Sequence, residues 1–415
     1  MAAKDAYASI KIKDYRQFTL ARFTLTFGIQ MQSVIVGWQI YEITRDALSL
    51  GLIGISEAIP FLAITLFAGH VADKVNRKKI ILVSNIVYFL CASALLIIST
   101  QLHHALLRYG VEPIYLIIFL AGITRGFMSP ALTAFGAQLI PRELYGNAST
   151  WNSLTWQLAE ITGPAIGGLV YGFFGVGYAY GLVVCFTAVA WFLFLSISNK
   201  PMPEPTNEEN IWKSLSSGLK FVFRNQIILS AISLDMFAVF FGGAVAVLPI
   251  FADQVLHVGA KGLGFLRAAP AVGAVIMSIY QANRPSFEKA GRNLLVCVFG
   301  FGISMILFAL SQNFYLTLLI LLVSGMLDNV SVIIRHTIVQ LYTPDEMRGR
   351  VSSINGIFIG SSNELGSFES GVAAKLMGLV PSVIFGGTMT LAVVGVISKT
   401  APKLRRLNLF NTQME

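Results

Sequence analysis

Apolar runs of about twenty residues recur along this chain from near residue 18 to near residue 398, broken by short polar or charged stretches. That recurrence constrains the fold more than any single motif. A run of this length crosses a bilayer as one α-helix, because hydrocarbon offers an unpaired backbone amide no partner. Composition agrees. Of the 415 residues 55% are hydrophobic and 12% charged, against about 25% charged in soluble globular chains. So few charges cannot cover an aqueous surface, which excludes a soluble enzyme.

Twelve runs qualify, near 18–40, 50–71, 79–100, 114–135, 150–172 and 177–198, then near 227–249, 262–282, 293–312, 314–339, 351–377 and 380–398. SNKPMPEPTNEEN, the strongly polar, proline-rich stretch of the chain, divides them six and six. The expected fold is all-α: twelve transmembrane helices in two six-helix bundles. The first bundle covers 1–198 and the second 226–415, with a cytoplasmic linker at 199–225. Within the linker, IWKSLSSGLKFVFRNQ is amphipathic and is expected along the membrane surface.

Basic residues set the orientation. The N-terminus, the even-to-odd loops, the linker and the C-terminus hold most lysines and arginines, among them Lys74, Arg77, Lys78 and Lys79. The opposite side has Arg45, Arg108, Lys261, Arg267 and Lys375. By the positive-inside rule the crowded side, with both termini, faces the cytoplasm. The net charge of +9 then reflects membrane topology, and nucleic acid is not an expected partner. Cys91, Cys185 and Cys297 sit inside apolar runs without metal-ligand spacing, and the five histidines form none either. No cofactor motif or phosphate-binding loop is present. The basic N-terminus lacks the apolar core and cleavage site of a secretory signal.

The two halves repeat each other. The loop after span 2 contains DKVNR and that after span 8 EKAGR; PRELYG follows span 4 and PDEMRG follows span 10. Two matches in register point to duplication, with halves related by an axis along the membrane normal.

GHVADKVNRKK, from Gly69, resembles the loop signature of the major facilitator superfamily through Gly69, Ala72, Asp73, Arg77 and Lys78. Val71, Lys74 and Asn76 depart from it. AEITGPAIGG in span 5 is similar to the superfamily's antiporter motif through Gly163, Pro164, Gly167 and Gly168, with Ala159 in place of its first glycine. PDEMRGRVSSINGIFIGSSNELGSFESG resembles a bacterial branch that includes the enterobactin exporter and macrolide efflux pumps. This resemblance implies a cytoplasmic gate at Gly69, Asp73 and Arg77, with Asp73 facing the start of span 11 near Val351. Lys78 and Lys79 need no more than a topology role. The span 5 glycines leave flat faces for close helix contact, and Pro164 permits a bend; the interface between halves is their expected place, with Gly356, Gly360, Gly366 and Gly371 as a partial counterpart in span 11.

Charges inside spans are costly and mark function. They are Arg22, Glu57, Arg125, Glu160, Asp235, Asp328, Arg335, Glu364 and Glu369, on spans 1, 2, 4, 5, 7, 10 and 11. In the superfamily's arrangement these helices line or border the central cavity. Arg125, Glu160, Asp235, Asp328, Glu364 and Glu369 are therefore the candidates for proton coupling and cavity lining. Depth pairs Arg125 with Glu160 and Glu364 with Asp328, while Arg22 and Arg335 lie nearer the cytoplasmic rim. The expected function is a monomeric secondary transporter of a bacterial inner membrane that exports an amphiphilic siderophore or drug-like molecule by proton antiport. A lysophospholipid flippase or metabolite uptake system on the same fold is the alternative, and a non-transporting receptor or assembly factor a third reading.

Overall fold

The computed structural model describes residues 7–102, 104, 106, 108, 110–201, 211–282, 289–344 and 347–408. These residues form helices and no strand. In the first half the long helices are α1 (Lys13–Thr44), α2 (Ala47–Lys74), α3 (Arg77–Thr100), α4 (Glu112–Gln138), α5 (Tyr145–Phe174) and α6 (Val176–Leu195). The amphipathic linker helix Ile211–Arg224 comes next. The second half has α7 (Gln226–Gly242), α8 (Gly259–Ala282), α9 (Ala290–Leu310), α10 (Phe314–Tyr342), α11 (Arg348–Met377) and α12 (Leu379–Thr400). Eight of the helices are long and apolar enough to cross a membrane unaided. α1, α5 and α11 fall outside that group because polar groups dilute their apolar runs, and α7 falls outside it because it is only 17 residues long.

Local chemistry sets the helix ends. Two residues, Val75 and Asn76, separate α2 from α3, and Asn76 Oδ1 accepts from Lys79 N at 3.3 Å. Asn225 caps α7 by accepting from Ile227 N at 3.1 Å and Ile228 N at 3.2 Å, and Asn313 caps α10 by accepting from Leu316 N at 3.1 Å. These side chains satisfy amide groups that a first helical turn leaves open. α5 meets α6 at Gly175, with φ +86°, and α11 meets α12 at Gly378, with φ +89°. Glycine enters this left-handed region without a Cβ clash. The same device thus stands at the same junction in each half.

One expected span ends early. The apolar run 227–249 predicts a continuous helix, yet α7 stops at Gly242, and a turn of π-helix at Phe251–Val255 precedes α8. Gly243 and the Pro249 that follows favour the break over continuation.

The chain divides into two compact units, Met1–Thr44 with Ser56–Asn207, and Arg45–Ile55 with Glu208–Glu415. In the first unit Phe18 presents its ring to Phe135 and Phe194, with centroids 6.0 and 6.2 Å apart, within a core that includes Tyr15 and Tyr88. A buried polar link ties three helices: Gln39 donates to Ser99 Oγ at 2.8 Å, and Tyr180 donates to Gln39 Oε1 at 2.7 Å. Such groups stay buried because each finds a partner.

In the second unit Leu234, Leu294, Ile334 and Ile338 form the main core. A second cluster joins Val222 of the linker helix to Ile228, Ile232, Val339, Val351 and Ile354. Arg350 donates to Ser217 Oγ at 3.1 Å, and the chain turns by 98° between the linker helix and α7. The linker helix therefore docks apolar side chains on α7, α10 and α11. Residues 45–55, including the first turns of α2, also pack in this unit. Lys375 pairs with Asp46 and Arg45 with Asp253. Gly51 and Gly54 let α2 approach α11, since a Cβ on Gly54 would lie 2.5 Å from the Glu364 carbonyl oxygen.

Candidate coupling and cargo residues

In the first unit, Arg125 Nη1 donates to Glu57 Oε1 at 2.6 Å and the guanidinium carbon lies 4.7 Å from the Phe61 ring centre. Glu57 and Phe61 are one turn apart on α2, so one face of that helix supplies both the anion and the ring. The approach depends on α4. A Cβ on Gly122 would meet the Glu57 carbonyl oxygen at 2.6 Å, and one on Gly126 would meet Ile64 at 2.9 Å. Depth favoured Glu160 as the partner of Arg125, and the structure shows Glu57 as one partner. The spacing Gly122-x-x-x-Gly126 around Arg125 is the sequence signal for it, because small residues four apart let two membrane helices close up. Glu160 is half-buried on α5.

The span 5 glycines are engaged inside their own unit. A Cβ on Gly163 would meet Gln30 Cβ and the Phe27 carbonyl at 2.9 Å, and one on Gly167 would meet the Met31 carbonyl at 2.8 Å. α5 thus lies flat on α1, where the expectation placed this face between the two halves. Gly168 is buried beside them, and α5 runs unbroken through Pro164. Gly366 of α11 does the same against Phe240 of α7, at 2.9 Å from its carbonyl. Span 5 on span 1 and span 11 on span 7 is one packing used twice.

Of the gate residues, the side chains of Gly69 and Asp73 lie outside the described residues, and Arg77 opens α3. Lys78 is a correction. It is buried, and its ammonium donates to the carbonyls of Leu195 at 3.0 Å and Ile197 at 2.5 Å. A cation on open carbonyls at a helix C-terminus is favourable, so Lys78 caps α6 where a topology charge was expected. Lys79 is exposed.

The second unit holds a buried ion pair between Arg335 of α10 and Asp235 of α7, with side chains 4% and 9% exposed. Arg335 is thus enclosed by protein on every side. Arg335 Nε finds no acceptor among the described residues. Asp235, Asp328 and Ser331 line a cavity of about 10 Å³ with Phe301 of α9, and Asp328 makes no hydrogen bond or ion pair among the described residues. Asp328 precedes Arg335 by seven residues, two helical turns, so both fall on one face of α10. Two carboxylates, Asp235 and Asp328, therefore line one small cavity, and Asp235 is the one paired with Arg335. Glu364 and Glu369 of α11 are half-buried, and the Glu364 carbonyl lies against Gly54 of α2.

Residues 4–413 match the family model of the transmembrane secretion effectors. The chain belongs to this family. It is a membrane transporter of the major facilitator superfamily, a class without enzymatic chemistry. The enterobactin exporter EntS of Shigella dysenteriae serotype 1 (strain Sd197) is 29% identical over 397 residues, 92% of this chain and 90% of the relative. EntS of Escherichia coli (strain SMS-3-5 / SECEC) is 29% identical over 414 residues, 96% and 94% of the two chains. Among solved structures, the inward-facing bacterial homologue of the human lysosomal transporter Spinster superposes with a TM-score of 0.71 at 15% identity, over 97% of this chain and 99% of its own. That likeness is one of fold.

Proposed function

We propose that this transporter exports an amphiphilic small molecule, a siderophore or drug-like compound, by proton antiport through alternating access. Its similarity along nearly the whole length to enterobactin exporters supports export and the cargo class. The observation that carries proton coupling is the arrangement of Asp235, Arg335 and Asp328 in the second unit. Arg335 is committed to Asp235 in a buried pair, and breaking such a pair is costly. A proton delivered to Asp235 releases Arg335, so protonation is tied to a rearrangement of α7 against α10, with Asp328 as the second carboxylate on the same small cavity.

Glu364 and Glu369 on α11, and Arg125, Glu57 and Glu160 in the first unit, complete the proposed set of cavity groups. Gly69, Asp73 and Arg77 are the proposed cytoplasmic latch. The basic loops support cytoplasmic termini in a bacterial inner membrane, and bundles at 1–198 and 226–415 joined through 199–225 go with this reading. The transporter acts as a monomer on a small molecule and protons.

The test is accumulation in intact cells. Cells expressing the protein should retain less of an added siderophore than cells without it, and a protonophore should abolish the difference. Greater retention on expression would establish uptake instead, and no difference for any secreted metabolite would favour a receptor or assembly role.

A further inference from the structure

The first unit contains a cavity of about 330 Å³ between α1, α4 and the start of α5, at the lower end of the range that ligand pockets occupy. Arg22 of α1 lines it. Among the described residues this guanidinium has no hydrogen bond or ion pair; its electrostatic neighbour is the Tyr15 phenol, whose hydroxyl already donates to the Ala148 carbonyl at 2.8 Å. No carboxylate lines the cavity. Arg22 is half-buried on this wall, and a guanidinium partly withdrawn from water without a partner is costly.

Two further features narrow what the compensating group is. Asn152 lines the same space, and its Oδ1 is buried without a hydrogen-bond partner. A buried acceptor left open calls for a donor. Trp156 and Tyr145 add aromatic surface, and the cavity adjoins the first turn of α5, where helical amides favour negative charge.

We infer that this cavity binds a ring-sized anion carrying an O–H or N–H donor, of the hydroxyaromatic carboxylate class, with its acid group on Arg22 and its donor on Asn152 Oδ1. The volume suits one such group of a larger cargo rather than the whole of it. The inference rests on the export reading for its role, as the site that receives the acidic end of the cargo, and on geometry alone for its ligand.

Salicylate and its neutral counterpart salicylamide are the probes, titrated calorimetrically into the purified protein in phosphatidylcholine nanodiscs. Salicylate should bind, and salicylamide should bind about tenfold more weakly or worse, as loss of a charge-assisted contact requires. Arg22→Gln should weaken salicylate binding by a similar factor of about ten, while Arg22→Lys keeps it within about threefold. Asn152→Ala should also weaken salicylate. Equal binding of the two probes to the wild-type protein overturns the inference even if Arg22→Gln fails to fold. So does unchanged salicylate binding in a folded Arg22→Gln protein. Loss of salicylate binding when phosphatidylglycerol replaces phosphatidylcholine would assign the site to a lipid headgroup and overturn the cargo role. The titration involves no gradient and no transport, so a protein that binds salicylate through Arg22 yet exports nothing contradicts the export reading alone.

Discussion

Arg125 and Glu57 meet at 2.6 Å across a contact between α4 and α2 that Gly122 and Gly126 make possible. Removing the cation alone leaves Glu57 without this partner in the membrane interior. Arg125→Ala should therefore lower thermal stability in detergent, and adding Glu57→Gln should recover part of the loss. A coupling energy of about 1–3 kcal/mol is expected from a double-mutant cycle, as for hydrogen bonds to charged groups. A double variant no more stable than Arg125→Ala would count against the pair.

The glycines of α5 and α11 should differ sharply in tolerance. Gly163→Ala places a methyl group 2.9 Å from the Phe27 carbonyl, and backbone cannot step aside cheaply. A loss of about 1–3 kcal/mol, typical of overpacking, is expected. Gly356→Ala has nothing within 4 Å of the new methyl group and should cost less than about 0.5 kcal/mol. Melting of the two purified variants checks the contrast; equal stability would mean that α5 does not rest on α1 as described.

Lys78 and Lys79 are neighbours in sequence with different work. Lys78→Met should remove the cation from the open carbonyls of α6 and cost about 1–2 kcal/mol, while Lys79→Met should be near neutral. Yield and melting temperature of the two variants distinguish them. Equal effects would return both residues to topology alone.

These cases show what the sequence makes legible. Span length, the side that carries the lysines and the duplicated loops are local properties, and they read directly from the residues. Partners depend on helix rotation and tertiary approach. Depth along the chain therefore did not point to Glu57 for Arg125 or to Asp235 for Arg335, partners that the fold supplies. The motif around Gly163 announced a flat face without saying which helix would cover it. Lys78 looked like one more basic loop residue because the carbonyls it caps lie more than a hundred positions away.

Asp46 gives the fold a pH dependence. Burial pushes its carboxyl up, but hydrogen bonds from Lys375 and Ser49 outweigh this and hold it below its ordinary 3.8. A carboxylate with a lower pKa folded than unfolded stabilises the protein above about 3.8 and loses that contribution as pH falls through the folded value. Both partners are partly exposed, so the contribution is within about 0–1 kcal/mol. Asp46→Asn should lower the melting temperature slightly at pH 7 and narrow its gap to the wild type as the pH approaches 3. A gap that widens on acidification would contradict the ion pair.

Proton-driven export is most directly tested by proton flux in everted membrane vesicles with an acidified lumen, using a siderophore as the probe. Addition of the probe should dissipate the pH gradient in vesicles that contain the protein and not in control vesicles. Asp328→Asn and Glu364→Gln each keep the side chain's shape while fixing it in a protonated-like form. If Asp328 shares the coupling site with Asp235 and Arg335, Asp328→Asn should abolish the dissipation while leaving probe exchange intact, and Glu364→Gln should reduce it. Uphill movement of the probe with no proton release, or full dissipation by both variants, would contradict the account.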